Sequence, residues 1–389
     1  MNKVIFDFEI SGHHSEYIDY ILTFLVNDKR ASDNYFFILH PDFFYRFPYI
    51  VKRAEECKNV NIYYLEKSDI DALKGLSIVK KSFKIFNIMN TYAKKMKADH
   101  VLLMSMNIFQ LPLVFRRPSF MVSGILFLQF YRMQKKSFKE KLKYYRKYWT
   151  TKLYAINPKI KSVFILNDEL TVSFLNRAFS TGIFKMLPDP IPQHVEEDGF
   201  DLYTYYNIPK EKKVLLHPGA IDPRKGTYEI IESIDLLSSE AFSRYAILIV
   251  GKANQDTDRQ IRKRSALLRN KDFVLVYDNT FVSNERLKSM FAQSYAVLIP
   301  YKNPEASSGI LGHAMTAGTP VIAPDYGLLG DIVRSNGVGI TIVETTGYSI
   351  AKAIEMLENI PPFSTEKISD FIDSHSTLYF AERVMGDSI

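Results

Sequence analysis

Short apolar runs alternate with longer, mixed stretches along the whole chain, and this alternation limits the possible folds more than any other feature. The runs have the length and composition of buried strands, and the stretches between them can hold helices. Strands that alternate with helices indicate parallel sheets covered by helices on both faces. The predicted strands are Val4–Phe8, Tyr35–Leu39, Asn61–Leu65, His100–Met104, Phe120–Leu128, Ser162–Leu166, Val214–His217, Ala246–Val250, Phe273–Tyr277, Ala296–Pro300, Pro320–Ala323 and Gly339–Val343.

A proline-rich segment, Pro188–Pro192, divides the alternation into two halves, because its three prolines favour an extended path and exclude a helix. We therefore predict an α/β protein with two Rossmann-like domains that face each other across a cleft. Residues 1–190 form the acceptor-binding domain and residues 191–365 the nucleotide-sugar-binding domain. Residues 366–389 form a C-terminal helix that packs back on the first domain. Open α/β sheets bind ligands beyond the carboxyl ends of their strands.

Composition excludes several classes of protein. The 389 residues are 47% hydrophobic and 24% charged, as in globular proteins, and the net charge of +7 is compatible with anionic substrates or an anionic membrane. The positive charge is not accompanied by a nucleic-acid-binding motif, so we expect no nucleic-acid partner. Cys57 is the only cysteine, which suits a reducing cytoplasm. The longest mostly apolar run, Phe120–Tyr131, is too short to span a membrane, and the N-terminus does not resemble a signal peptide.

The segment 304–324 joins two predicted strands through a polar loop and a helix of small residues. Ser307 and Ser308 open that helix, and free amides at a helix N-terminus suit a phosphate group. Glu305 lies just before them, so its carboxylate can reach sugar hydroxyls at the same opening. An anion pocket beside a sugar-binding acid indicates a nucleotide-sugar site.

This segment resembles the signature of retaining GT-B glycosyltransferases, E-G-F-G-L-x-x-x-E-A-M-A-x-G-x-P-V-I. Glu305 matches the first acid, and Ala314-Met315 and 318–322 (GTPVI) match the helix and the following strand. Gly309-Ile310 resembles the Gly-Leu pair that contacts phosphate, one residue later than in the signature. The resemblance implies a metal-independent transfer in which the amides of 308–310 hold the leaving diphosphate and Glu305 orients the sugar.

The second acid of the signature is replaced by His313, and Ser307 replaces an aromatic residue. In the family that acid binds the ribose hydroxyls. His313 could bind a ribose hydroxyl less tightly, fit a nucleotide that lacks one hydroxyl, or pack under the loop. These alternatives stay open, and the second makes a thymidine-diphosphate sugar one hypothesis for the donor.

A second loop, His217–Gly226 (HPGAIDPRKG), follows the first strand of the second half. It resembles the family's G-R-x-x-x-x-K-G loop, whose two cations hold the donor diphosphate. Lys225 matches the lysine, whereas Ala220 stands where the arginine is expected. Arg224 is a candidate substitute for the missing cation. A solvated Arg-Lys turn before a helix is the alternative interpretation.

Gly12 and His13, with His14, follow the first strand, where the family has a glycine-rich loop that covers the donor phosphates. Gly12 permits close backbone approach, and the histidines are candidates for contact with phosphate or acceptor. The alternative interpretation is that the two histidines are simply exposed polar residues at the start of a helix. We expect no metal, because adjacent histidines do not face one ion together.

The tract Arg132–Lys152 is the most basic of the chain, with nine cations between aromatic residues. As a helix it would suit anionic lipid headgroups, so we consider a peripheral contact with the inner face of a membrane. A solvated helix with its aromatics in the core is the alternative.

The resemblance implies a retaining hexosyltransferase that moves a sugar from a nucleoside diphosphate to a glycan or lipid-linked acceptor, in cell-surface polysaccharide or glycoconjugate synthesis. Glu305 and Lys225 are the expected catalytic residues. Two alternatives remain: a decayed transferase that binds without turnover, and another two-lobed sugar-nucleotide enzyme such as an epimerase.

Overall fold

The computed structural model describes residues 1–27, 33–127, 129–133, 135, 137–302, 308–360 and 364–386. The chain divides into two compact units, Met1–Pro190 with Ser376–Ile389, and Ile191–His375. Within the described ranges, no helix has the length and apolar composition needed to cross a membrane.

The first unit contains a seven-stranded sheet in the order β3-β2-β1-β4-β5-β6-β7, and all its neighbouring strands are parallel. Six of its strands were predicted, with ends shifted by one or two residues. The edge strand β7 was not, because it is short and only its first and last side chains are buried. The strands are β1 Asn2–Phe6, β2 Asn34–Leu39, β3 Val60–Tyr64, β4 His100–Leu103, β5 Met121–Leu126, β6 Ile160–Leu166 and β7 Phe184–Leu187.

Helices connect these strands and cover both faces of the sheet. Alternate residues of β1 show the two layers, because Val4 and Phe6 pack into one apolar cluster and Ile5 into the other. The helices are α1 His14–Asn27, α2 Phe43–Arg46, α3 Pro48–Ala54, α4 Lys67–Asp71, α5 Ile78–Lys95, α6 Gln110–Phe115, α7 Phe138–Ala155 and α8 Glu169–Phe179.

The second unit contains a six-stranded parallel sheet in the order β10-β9-β8-β11-β12-β13. All six strands were predicted. The strands are β8 Lys213–Pro218, β9 Tyr245–Val250, β10 Leu275–Asp278, β11 Ala296–Leu298, β12 Val321–Pro324 and β13 Gly339–Ile342. The helices are α9 Leu202–Tyr205, α10 Thr227–Ser233, α11 Ser239–Arg244, α12 Gln255–Ala266, α13 Asn284–Gln293, α14 Gly309–Thr316, α15 Gly327–Asn336, α16 Gly347–Met356 and α17 Thr365–Ser374, with 3-10 turns at Pro223–Lys225, Ile234–Leu236 and Leu357–Asn359.

The C-terminal segment contains two helices instead of one. α17 belongs to the second unit, and α18 (Thr377–Gly386) belongs to the first. Phe380 of α18 is fully buried, and its ring centre lies 4.6 Å from that of Tyr17 on α1. The last helix is thus part of the first unit's core.

Each sheet reverses its winding once, between its first and its fourth strand in chain order. In the first sheet β1 lies beside β4, and in the second β8 lies beside β11. At such a reversal, the connections that follow the two neighbouring strands run in opposite directions, which opens a crevice beyond the carboxyl ends of these strands. Each unit therefore has one position that favours ligand binding.

Candidate functional site

Two segments meet at the reversal of the second sheet, one after β8 and the other after β11. A side chain at Gly219 would place its Cβ atom 3.3 Å from Nζ of Lys225 and 3.3 Å from Cδ1 of Ile310. The backbone of Gly219 also has a φ of 94°, which L side chains rarely adopt. The glycine therefore leaves open a small space bounded by the lysine and the start of α14.

Lys225 lies partly buried at this space, and its Nζ is 5.4 Å from the centre of the Tyr301 ring. Burial lowers the pKa of Lys225 to about 8, and the nearby charge of Arg224 adds to the effect. Asp222, the neighbouring acid, contacts Arg224 instead, at 3.5 Å. No carboxylate of the described residues forms a salt bridge with Lys225. A partly buried ammonium without such a partner suits an anionic ligand, which would offset the cost of burying the charge.

The start of α14 supplies hydrogen-bond donors. Ser308 precedes the helix in an extended conformation, and the first helical bond joins the amide of Gly312 to its carbonyl at 3.2 Å. The amides of residues 309–311 consequently have no acceptor within the helix. The side chain of Tyr301 hydrogen-bonds Ser308, and burial raises the pKa of the tyrosine to about 12. Amides without an acceptor in the helix, a helix dipole and a nearby lysine together can hold a phosphate group.

Two predicted site residues, Glu305 and Ser307, lie outside the described residues, so their proposed roles stay predictions. Arg224 is exposed, and its side chain contacts Asp222. Its backbone carbonyl accepts a hydrogen bond from the amide of Lys302 at 2.8 Å, which joins the loop of Lys225 to the segment after β11.

His313 packs between aromatic rings on the side of α14. Its ring is stacked on that of Phe291 with centres 5.8 Å apart, and it lies 6.2 Å from the ring of His194. This surrounding favours the packing interpretation of the three that the sequence left open. Its contact with a nucleotide stays a prediction.

His217 is a positioning residue that the sequence did not single out. It is fully buried, its Nδ1 donates to the carbonyl of Leu298 at 2.7 Å, and its Nε2 accepts from Thr227 at 2.9 Å. Burial lowers the pKa of His217 to about 4, so the ring stays neutral. It joins β8, β11 and the start of α10, and thereby fixes both ends of the loop that carries Lys225.

In the first unit, the predicted residues Gly12 and His13 lie in the turn after β1. Gly12 has a φ of 72°, and the exposed His13 contacts Glu16 at 3.0 Å, a hydrogen bond that raises its pKa. His14, beside them, contacts the buried Asp7 at 2.8 Å. Burial lowers the pKa of His14, but the hydrogen bond and charge of Asp7 outweigh it, so the net pKa is raised. Sequence reasoning missed this Asp7–His14 pair, although an acid inside an apolar strand was a signal for it.

The comparison with protein families decides the identity of the second unit. Residues 205–372 match the family described as glycosyl transferases group 1. The second unit thus matches the group 1 glycosyltransferase family over most of its length. The match confirms the resemblance that the segment 304–324 and the loop of Lys225 indicated. No curated protein matches the chain significantly.

Solved structures confirm the predicted α/β class and GT-B fold. The chain is similar over its full length to the glycosyltransferase WaaG, which is involved in lipopolysaccharide biosynthesis, with a TM-score of 0.63, 14% identity and 98% of that chain covered. The E. coli trehalose-6-phosphate structure bound with UDP-2-fluoro glucose gives a TM-score of 0.67 and 11% identity, covering 100% of this chain and 99% of that one.

A putative UDP-N-acetylglucosamine 2-epimerase from Listeria monocytogenes has the same fold, with a TM-score of 0.61 and 11% identity, covering 99% of this chain and 94% of that chain. The fold alone therefore does not separate transferases from epimerases. The family match of the glycosyltransferase domain does favour a transferase. Among the described residues of this domain and of the first unit, no group of three or more His, Cys, Asp or Glu side chains could hold a metal ion.

Proposed function

We propose that the protein is a retaining glycosyltransferase that moves a hexosyl group from a nucleoside-diphosphate sugar to a glycan or lipid-linked acceptor. We place it in cell-surface polysaccharide or glycoconjugate synthesis. The observation that carries the proposal is the partly buried Lys225 beside the first turn of α14, because this arrangement suits a diphosphate.

In the proposed reaction, an acceptor hydroxyl oxygen bonds to the anomeric carbon on the face from which the diphosphate departs. The bond between the anomeric carbon and the diphosphate oxygen breaks, and the acceptor's proton passes to that departing oxygen. Negative charge grows on the diphosphate as the bond breaks, so a fixed ammonium at Lys225 stabilises the transition state more than the bound donor. Glu305 would orient the sugar ring.

The proposal is tested with sugars of uridine, guanosine, adenosine and thymidine diphosphates, by following donor hydrolysis and transfer. Lys225→Met should weaken nucleotide binding by about tenfold to a hundredfold, because a charge-assisted contact is lost. Lys263→Met, on the exposed face of α12, is the matched control and should behave as the wild type. Nucleotide binding without any turnover would favour the decayed transferase instead.

Whether the donor nucleotide contains ribose or deoxyribose can be tested directly. His313 stands where the family has its ribose-binding acid, and in this chain it stacks on Phe291. A deoxyribose donor would need no such acid. Titration calorimetry with thymidine diphosphate and its ribose counterpart tests this, and equal or tighter binding of the ribose form would exclude a preference for deoxyribose.

We further propose that the protein works at an anionic membrane surface, which it contacts through α7. Five exposed apolar side chains follow one another every three or four residues and form one stripe along this helix. Cations such as Lys141 and Lys152 flank the stripe, and Nζ of Lys152 lies 5.1 Å from the centre of the Trp149 ring. The stripe consists of Phe138, Leu142, Tyr145, Trp149 and Leu153.

Other aromatic residues of the same helix are directed inwards. Tyr144 is buried, and Tyr148 packs edge-on against Phe130 with ring centres 5.6 Å apart. The basic tract therefore combines the two arrangements that the sequence left open. Lysines beside exposed aromatics favour anionic lipid headgroups.

A further inference from the structure

A second cavity lies in the first unit, at the point where its sheet reverses. Its volume is about 550 Å³, and it is bounded by Phe8 and Glu9 after β1 and by Ser105 and Asn107 after β4. This is the position where an open parallel sheet binds its ligand. The volume lies within the range of roughly 300–1,000 Å³ that is usual for small-molecule sites.

The charges that line this cavity are mostly positive. Lys81, Arg146 and Lys147 line it, against the one carboxylate of Glu9. Among the described residues, neither Lys81 nor Arg146 forms a salt bridge with a carboxylate. Their charges are therefore available to an anion. A guanidinium beside ammonium groups favours phosphate, because it offers paired donors as well as charge.

The remaining lining separates into polar and apolar parts. Asn107 and Thr150 offer hydrogen-bonding groups, and Glu9 offers an acceptor for hydroxyls. The amide of Glu9 donates to Asp7 at 3.1 Å, which helps to fix the backbone of Glu9 at the rim. Ile78 and Val79, both exposed, add an apolar wall at the start of α5. Hydroxyl acceptors, amide groups and an apolar wall suit a sugar ring.

We infer that this cavity binds a glycosyl acceptor that carries a phosphate group, with the phosphate at Lys81, Arg146 and Lys147 and the sugar hydroxyls at Glu9 and Asn107. The inference rests on the proposed function, since it names the class of acceptor for the transfer. The phosphate can belong to a soluble sugar phosphate or to a lipid headgroup, and the experiment separates the two sources.

The test measures binding to the full chain by titration calorimetry, first with glucose 6-phosphate and with glucose. The second arm uses phosphatidylcholine vesicles with and without an isoprenoid phosphate. Arg146→Gln and Lys81→Gln should each weaken binding of the phosphate compound about tenfold or more. Lys84→Gln, an exposed cation on α5 outside the cavity lining, is the matched control and should leave binding unchanged.

Binding of glucose 6-phosphate that depends on Arg146 and Lys81 supports the inference and assigns a soluble acceptor. Binding that depends on Arg146 and Lys81 but occurs only with the vesicles that contain isoprenoid phosphate also supports the inference, and it assigns a lipid acceptor. Absence of binding in both arms, or binding that neither variant weakens, overturns it. Nucleoside-diphosphate binding is measured on the same samples, so loss of the acceptor site with intact donor binding leaves the proposed function standing.

Discussion

The Nε2 atom of His217 lies 2.9 Å from the hydroxyl oxygen of Thr227, and this contact closes the base of the loop that carries Lys225. The ring is neutral because burial lowers its pKa to about 4. The unfolded chain has the ordinary pKa of about 6.5 and so binds more protons between these two values. Acid should therefore destabilise the second unit.

We expect the free energy of unfolding to fall as the pH drops from about 6.5 to 4, with His217 responsible for about 3 kcal/mol at most. Urea titrations at a series of pH values measure this. His217→Gln should flatten the pH dependence. Thr227→Val, which removes the same hydrogen bond and no titrating group, should lower stability by about 1–2 kcal/mol with an unchanged slope. Equal slopes in wild type and His217→Gln would contradict the prediction.

Lys225 should take up a proton when a nucleoside diphosphate binds. Its pKa of about 8 in the free protein means that part of the population is neutral at pH 8, whereas a bound diphosphate favours the charged form. Affinity should thus be nearly constant below pH 7 and fall by up to about tenfold per pH unit above pH 8. Calorimetry in buffers with different ionisation enthalpies measures the proton uptake. Lys225→Met should abolish it; an undiminished uptake in this variant would assign the proton to another group.

Gly219→Ala should weaken nucleotide binding, since the added methyl group would lie 3.3 Å from Nζ of Lys225 and occupy the space proposed for phosphate. Gly337→Ala is the matched control, because it also has a positive φ, of 65°, but no atom lies within 4 Å of its added Cβ. Both changes should lower the free energy of unfolding by about 1–2 kcal/mol through backbone strain. Only Gly219→Ala should reduce the affinity for the nucleotide. A similar loss of nucleotide affinity in both variants would show that backbone strain causes the effect.

Trp149→Glu should detach the protein from anionic vesicles. The change places a negative charge in the apolar stripe of α7 and removes its largest exposed ring, so binding in flotation should fall about tenfold or more. Leu170→Glu, at an exposed position on α8, is the control. High salt should also weaken the wild-type contact, because it screens the flanking lysines. Failure of the wild type to float at low salt would refute the membrane proposal.

Much of the fold could be predicted from the sequence, because a strand buried on both faces needs a continuous apolar run. The buried run of β9, Tyr245–Val250, is of this kind. β7 has two partly exposed side chains at its centre and was missed.

The candidate site was only partly predictable for a different reason. Lys225 and the start of α14 follow a recognisable local pattern, so the sequence could identify them. The contacts of His217 with Leu298 and Thr227 join residues that are 81 and 10 positions away, and no local pattern reports such pairs. The cavity of the first unit likewise combines residues from two strand ends and three helices.

The identical winding of the two sheets has a consequence for how specificity can evolve. Each crevice is made by its own sheet, from connections that belong to one unit only. Under the proposed function, replacements that change the preference for the acceptor lie in the first unit, and the residues proposed to bind the donor in the second unit stay unchanged. An exchange of units between relatives has to move α18 together with residues 1–190, because that helix belongs to the core of the first unit.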